Sequence, residues 1–264
     1  MTAPANVPVA HERIGAAIRA AAAHGPALVA FMTAGFPRRE QFRAQLAAVA
    51  GAADVVEIGV PFTDPMADGV TIQRSSREAL AQGVTLAWIL DELAAMPPVP
   101  APLLLMSYLN PLLSYGYAAL AAAAERARVA GFIVPDLPFD EGGELAAALE
   151  ARGIALVQMA TPVTTPERLA KVCGASRGFV YAVTMTGTTG RNVAVPDDVL
   201  AYLGRVRAVS RVPVCAGFGI RSREQVERLA GHVDGVVVGS ALVEVLERGE
   251  DPAAWLRALR PARA

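Results

Sequence analysis

Neither sign of charge is in excess in this sequence: 24 basic and 25 acidic residues among 264 leave a formal net charge of -1. That balance excludes a global attraction to nucleic acid or to an anionic membrane, so any anion site must be local. No apolar run reaches the ~18 residues of a membrane span. Hydrophobic residues make up 53% of the chain, but much of that is alanine in runs such as Ala20 to Ala23 and Ala121 to Ala124. Alanine adds helix propensity and little side-chain burial. Cysteine is scarce: Cys173 and Cys215 only. Without an export signal a disulfide is not expected, and the reading is a reduced, cytoplasmic protein. Cys215 lies in an apolar run and is expected to act as a small buried hydrophobe. The histidines His11, His24 and His232 are scattered, none beside another ligand at metal spacing, so neither a metal site nor a Ser-His-Asp arrangement is visible. Residues 1–10 lack a basic cluster and a long apolar core, and read as a loosely packed arm rather than a signal peptide.

What is present is alternation. Eight short apolar runs are separated by helical stretches: Leu28 to Thr33, Val55 to Val60, Leu103 to Ser107, Phe132 to Pro135, Ala155 to Met159, Phe179 to Thr184, Val212 to Ala216 and Gly235 to Val238. They are apolar on both faces, as buried parallel strands are. Ser222-Arg-Glu-Gln225 has the form of a capping box. Thr165-Pro166 sets a capping residue before a proline at the first helical position. Gly131 and Gly153 read as helix stops, and Pro97 to Pro102 as a stiff turn before the third strand. The first strand runs into Thr33-Ala-Gly-Phe-Pro37, which is no Gly-x-Gly-x-x-Gly turn. An open dinucleotide-binding sheet is therefore disfavoured. The pattern predicts one (β/α)₈ TIM barrel over residues 11–264, with an extra helix, His11 to Ala23, across one end.

Barrel chemistry sits at the C-terminal ends of the strands. Glu57 interrupts the second apolar run, and alternation along a strand can aim it into the mouth, where loss of water would raise its pKa toward the proton-transfer range. The alternative is an inward glutamate neutralised by a lysine or arginine. Asp64 and Asp68 follow among Pro61, Pro65 and Gly69. Either can be a helix cap or Asx-turn, but Asp68 would give a second carboxylate for divided acid and base roles. Late in the chain, Thr186-Gly-Thr-Thr-Gly190, Gly217-Phe-Gly219 and Gly239-Ser240 follow the last three strands. Barrels often hold phosphate there, on backbone N–H groups and a helix N-terminus; plain tight turns are the alternative. Tyr108 and Tyr181 near strand ends fit either a pocket wall or core packing, and Asp136 ends the fourth strand.

Phe31-Met-Thr-Ala-Gly-Phe-Pro37, Glu57 to Gln73, Met106-Ser-Tyr-Leu-Asn-Pro111, Val134-Pro-Asp-Leu-Pro138, Gly217-Phe-Gly-Ile220 and Gly239-Ser240 occur in an order that resembles the tryptophan synthase α subunit family. The resemblance runs from about Leu28 to Ser240, and the Glu57 to Gln73 stretch is its most specific part. It implies a lyase that cleaves indole-3-glycerol phosphate into indole and glyceraldehyde 3-phosphate. By the same resemblance Glu57 is the acid/base and Asp68 accepts a hydrogen bond from the indole nitrogen. Phe31, Tyr108, Ile133 and Tyr181 would line the indole pocket, and Gly190, Gly219, Gly239 and Ser240 would hold the phosphate. It further implies no cofactor in this chain, pyridoxal phosphate belonging to a β subunit that partners it in an αββα assembly. The sequence departs from the family in two loops: Gly187-Thr-Thr-Gly190 with Met185 and Arg191, and Val70 where proline is usual. Both loops serve closure and communication with the β subunit in the family. A stand-alone indole-releasing lyase, a non-catalytic activating subunit, and an isomerase or epimerase on the same fold are the competing readings. The Glu57 to Gln73 stretch gives the last no support.

Overall fold

The computed structural model describes residues 9–184, 196–217 and 219–261. Eight parallel strands close into a barrel in chain order, β8 returning to β1. They are β1 (Ala27–Thr33), β2 (Val55–Gly59), β3 (Leu103–Met106), β4 (Val129–Ile133), β5 (Ala155–Ala160), β6 (Val180–Val183), β7 (Val214–Gly217) and β8 (Gly235–Val238). Helices connect them on the outside, as right-handed βαβ crossovers require.

Side-chain alternation sorts the strand residues into two apolar sets. Leu28, Ala30 and Met32 of β1 and Val56 and Ile58 of β2 pack with Phe42 and Leu46 of helix Phe42–Ala50. The intervening Val29 and Val55 join Leu104, Val157, Cys215 and Val237 in a second cluster inside the barrel. Helix Ala10–Ala22 completes that inner cluster with Ile14 and Ile18, both fully buried. The expected extra helix therefore closes the N-terminal end of the barrel, each isoleucine contributing about 2–3 kcal/mol of burial.

Local signals hold where both partners are close in sequence. Ser222 and Gln225 make both bonds of the capping box before helix Arg223–Leu229. Thr165 caps helix Pro166–Ala175, its hydroxyl accepting from the Arg168 N–H. Gly153 ends its helix with φ 65°. Gly131 does not: it lies inside β4, paired with Leu104 and Ala155. The fourth strand accordingly begins at Val129, three residues before the expected Phe132, and Val134 and Pro135 fall beyond it. The reversal before β4 is made by Arg128, held at φ 56° with its guanidinium on the Leu93 and Met96 carbonyls. The seventh strand is likewise displaced, to Val214–Gly217.

Candidate active site

The inward residues of β2 are Val55, Glu57 and Gly59. Glu57 is 0% exposed, and neither carboxylate oxygen has a hydrogen-bond partner among the described residues. Among the described residues no lysine or arginine pairs with it, so the ion-pair alternative finds no support there. Burial alone pushes its carboxyl up to about 8, because desolvation disfavours the charged form. A buried, unpaired polar group costs stability and calls for a reason outside packing. Tyr181 and Cys215 feel its charge and are themselves raised well above their ordinary values, mainly by burial.

The segment after β2 carries Asp68 back over the mouth. Asp68 is half-buried, and desolvation raises it to about 6 against the opposing effect of a hydrogen bond from Tyr108. The Tyr108 hydroxyl donates to Asp68 Oδ2 at 3.1 Å and accepts from the Ala67 N–H at 2.9 Å. Its ring stacks on Phe62, centroids 5.0 Å apart. Tyr108 thus fixes three residues of this loop from the end of β3. Gln73 Nε2 holds the Asp68 carbonyl at 2.9 Å. Asp64, by contrast, is exposed; its carboxylate accepts only the Thr63 hydroxyl among the described residues and its carbonyl the Met66 N–H, a local turn role. Asp136 accepts the Leu109 N–H at 2.9 Å and so serves the turn that follows β3.

A cleft at this end is lined by Phe31, Gly59, Asp68, Ile72, Met106 and Tyr108, among others. Phe31 lies so close over Gly59 that a Cβ there would meet its ring at 2.5 Å; only glycine admits the ring. Gly217 is similarly constrained, since a Cβ would stand 2.7 Å from the Tyr181 hydroxyl. Gly239 faces Phe31, 3.8 Å from the nearest atom to a Cβ, and precedes helix Ser240–Glu247. Gly219 is exposed with φ 64°. Ile133 is fully buried in the inner cluster with Val157. The structure therefore gathers Phe31, Asp68 and Tyr108 around one cleft, with Gly239 against Phe31, and sets Tyr181 against Gly217. Gly190, Met185 and the Gly187 to Arg191 loop lie outside the described residues. Sequence reading missed Gly59, Met106, Ile72 and Ser76. The last two stand four apart on helix Val70–Ala81, a spacing that puts them on one face and could have been found. Among the described residues, no three His, Cys, Asp or Glu side chains are grouped as metal ligands, and no helix is long and apolar enough to cross a membrane.

Removing the Tyr108 hydroxyl tests the loop geometry. Its hydrogen bond lowers the Asp68 pKa, so Tyr108→Phe should raise it. The acid limb of the rate profile should then move above about 6, measured as kcat/KM against pH. An unmoved limb would dissociate Asp68 from that ionisation.

Fold and site together define a (β/α)₈-barrel enzyme whose mouth holds a buried carboxyl without a partner among the described residues. Comparison with known proteins narrows this. The family model described as tryptophan synthase alpha chain matches residues 18–260. The tryptophan synthase alpha chain of Nitratidesulfovibrio vulgaris is 44% identical over 249 residues, covering 93% of this chain and 97% of that one. That of Desulfovibrio desulfuricans is 47% identical over 237 residues, covering 88% and 93%. Among solved structures, Mycobacterium tuberculosis tryptophan synthase superposes with a TM-score of 0.86 at 36% identity, covering 96% and 97% of the two chains. The Legionella pneumophila tryptophan synthase subunit alpha gives 0.84 at 31%, covering 94% and 97%. The chain belongs to the tryptophan synthase alpha chain family.

Proposed function

We propose that this barrel cleaves indole-3-glycerol phosphate into indole and glyceraldehyde 3-phosphate, as the lyase of tryptophan biosynthesis, with Glu57 and Asp68 as its catalytic groups. The observation that carries the assignment of roles is Glu57: a carboxyl inside the mouth, fully buried, unpaired among the described residues and raised to about 8. At neutral pH it holds a proton. Retro-aldol cleavage needs a proton delivered to indole C3, so that the ring becomes an acceptor for the electrons of the breaking carbon–carbon bond. It then needs loss of the glycerol hydroxyl proton as the aldehyde forms. Glu57 serves these transfers, donating first and accepting afterwards. Asp68, more readily ionised at about 6, accepts the ring N–H and stabilises the positive charge that builds on nitrogen. Phe31, Tyr108, Ile133 and Tyr181 supply the apolar and aromatic wall. Gly190, Gly219, Gly239 and Ser240 hold the phosphate, remote from the reacting bond, where binding energy can fix its position.

The partner in this reading is a β subunit in an αββα assembly. Met66 and Val70, 87% and 82% exposed, stand on the rim after β2, an apolar placement suited to a protein surface. The test is indole release from indole-3-glycerol phosphate by the purified chain, alone and with a β subunit. Slow release strongly accelerated by the partner supports the reading. Fast release alone would favour a stand-alone lyase, and no release in either case would refute the substrate.

The phosphate assignment has its own test. A side chain at position 239 meets only ordinary contacts, so Gly239→Asp should fold with little change in Tm. It places a carboxylate against the phosphate, and KM should rise at least about tenfold, roughly the effect of one lost charge-assisted hydrogen bond. An unchanged KM in the folded variant would move the phosphate elsewhere.

A further inference from the structure

We propose that Glu244 is a positioning residue for phosphate binding: it clasps the segment after β7 and the helix after β2 to the helix that opens at Ser240. The proposal rests on the reading of Gly219, Gly239 and Ser240 as the phosphate cradle. Glu244 lies one turn beyond Ser240 on helix Ser240–Glu247, its side chain 26% exposed. Arg221, which follows Gly217 to Ile220 directly, grips it with both arms of its guanidinium. Nη1 donates to Oε2 at 2.7 Å and Nη2 to Oε1 at 2.9 Å. The Thr71 hydroxyl, one residue into the helix Val70–Ala81, donates to the same Oε1 at 3.4 Å. One turn along, Arg74 of that helix pairs with Glu247, a second tie between the same two helices.

Three chain segments meet at this carboxylate: Arg221, just past Gly219; Thr71, three residues past Asp68; and Glu244 itself, on the helix that Gly239 precedes. They follow three different strands, β7, β2 and β8. A bidentate arginine–carboxylate pair fixes both distance and orientation, which a point-charge pair does not. The guanidinium and the carboxylate also shift one another: Arg221 is raised and Glu244 lowered, in each case chiefly by their mutual hydrogen bonds. Half-exposed ion pairs of this kind add little to global stability, so the clasp acts on register. Backbone N–H groups bind an anion well only when all are aimed at once. Freeing the β7 segment from the Ser240 helix would leave each donor present and their convergence lost.

The probe is glycerol 3-phosphate, titrated calorimetrically into the folded chain, alongside indole release at saturating substrate. Glu244→Ala should weaken Kd about tenfold and raise KM to match, with kcat within twofold. A charge-swapped double variant, Arg221→Glu with Glu244→Arg, should restore Kd to within about threefold, since the clasp is re-formed with its charges exchanged. If the swap stays as weak as Glu244→Ala, then Arg221 itself serves the phosphate and the positioning role is overturned. Gly239→Asp separates the two layers of the argument. Loss of binding in Gly239→Asp with none in Glu244→Ala refutes the clasp alone. Unchanged binding in Gly239→Asp refutes the cradle, and the clasp with it.

Discussion

Glu57→Gln should lower kcat for indole release by about 10³-fold or more, the upper part of the range for a lost proton-transfer group, while the protein stays folded. Glutamine keeps the volume of the side chain in a site where nothing among the described residues bonds to it, and it can neither give nor take a proton at neutral pH. Activity within tenfold of the parent would remove Glu57 from the chemistry. Stability gives a second readout with a definite sign. The folded-state pKa, about 8, lies above the ordinary 4.5. Between these values the folded chain holds a proton that the unfolded chain has lost, so stability falls as pH rises through that window. The loss in full is on the order of a few kcal/mol. Glu57→Gln removes the titration. Its urea midpoint should therefore exceed that of the parent above pH 8, and the two should converge near pH 4.

Asp68→Asn should cost about 10²-fold or more in kcat, with KM changed only a few-fold. The amide oxygen can still accept the Tyr108 hydroxyl, so the loop keeps its anchor. What is lost is the negative charge opposite the ring nitrogen, where positive charge builds as C3 is protonated. A preformed charge aimed at a developing one, in a half-buried site, is worth several kcal/mol. Steady-state kinetics distinguish the outcomes. A raised KM with kcat intact would make Asp68 a binding group only, and leave Glu57 to act without electrostatic help from this side.

The barrel was legible in the sequence because both-face burial leaves an unmistakable run of apolar residues, and eight such runs alternate with helical spacing. Val55 to Val60 announced β2 and, by its one charged member, the position of Glu57. Sequence failed at β4, where Gly131 imitates a helix stop while Arg128, a residue seldom found at positive φ, makes the reversal. Propensity cannot foresee that substitution of roles; the carbonyls of Leu93 and Met96 that hold the Arg128 side chain lie 35 and 32 positions earlier, at the end of helix Leu86–Ala95. The carboxylates were legible by type, but their environment was not. Tyr108 reaches Asp68 across 40 positions, and Arg221 reaches Glu244 across 23. Neither pairing leaves a local pattern. Asp64 and Asp68 share a proline-rich loop, and the sequence favoured Asp68 only as a second carboxylate near Glu57; folding makes Asp64 a turn residue and Asp68 a wall of the cleft.

Helix Ala10–Ala22 has a consequence for traffic. With Ile14 and Ile18 seated in the N-terminal end of the barrel, the described residues close that end and leave the lumen to be reached from the mouth. Whatever enters to meet Glu57 must turn around, and both halves of a cleaved molecule must leave past the same Phe31 and Asp68 that admitted the whole. In the proposed reaction a planar heteroaromatic and a phosphorylated triose would share that exit, and the next substrate would wait on the slower of the two. A second catalyst that needs the planar product can collect it only at this doorway. In the proposed αββα assembly, the rim after β2, where Met66 and Val70 stand exposed, would then decide delivery rather than cleavage.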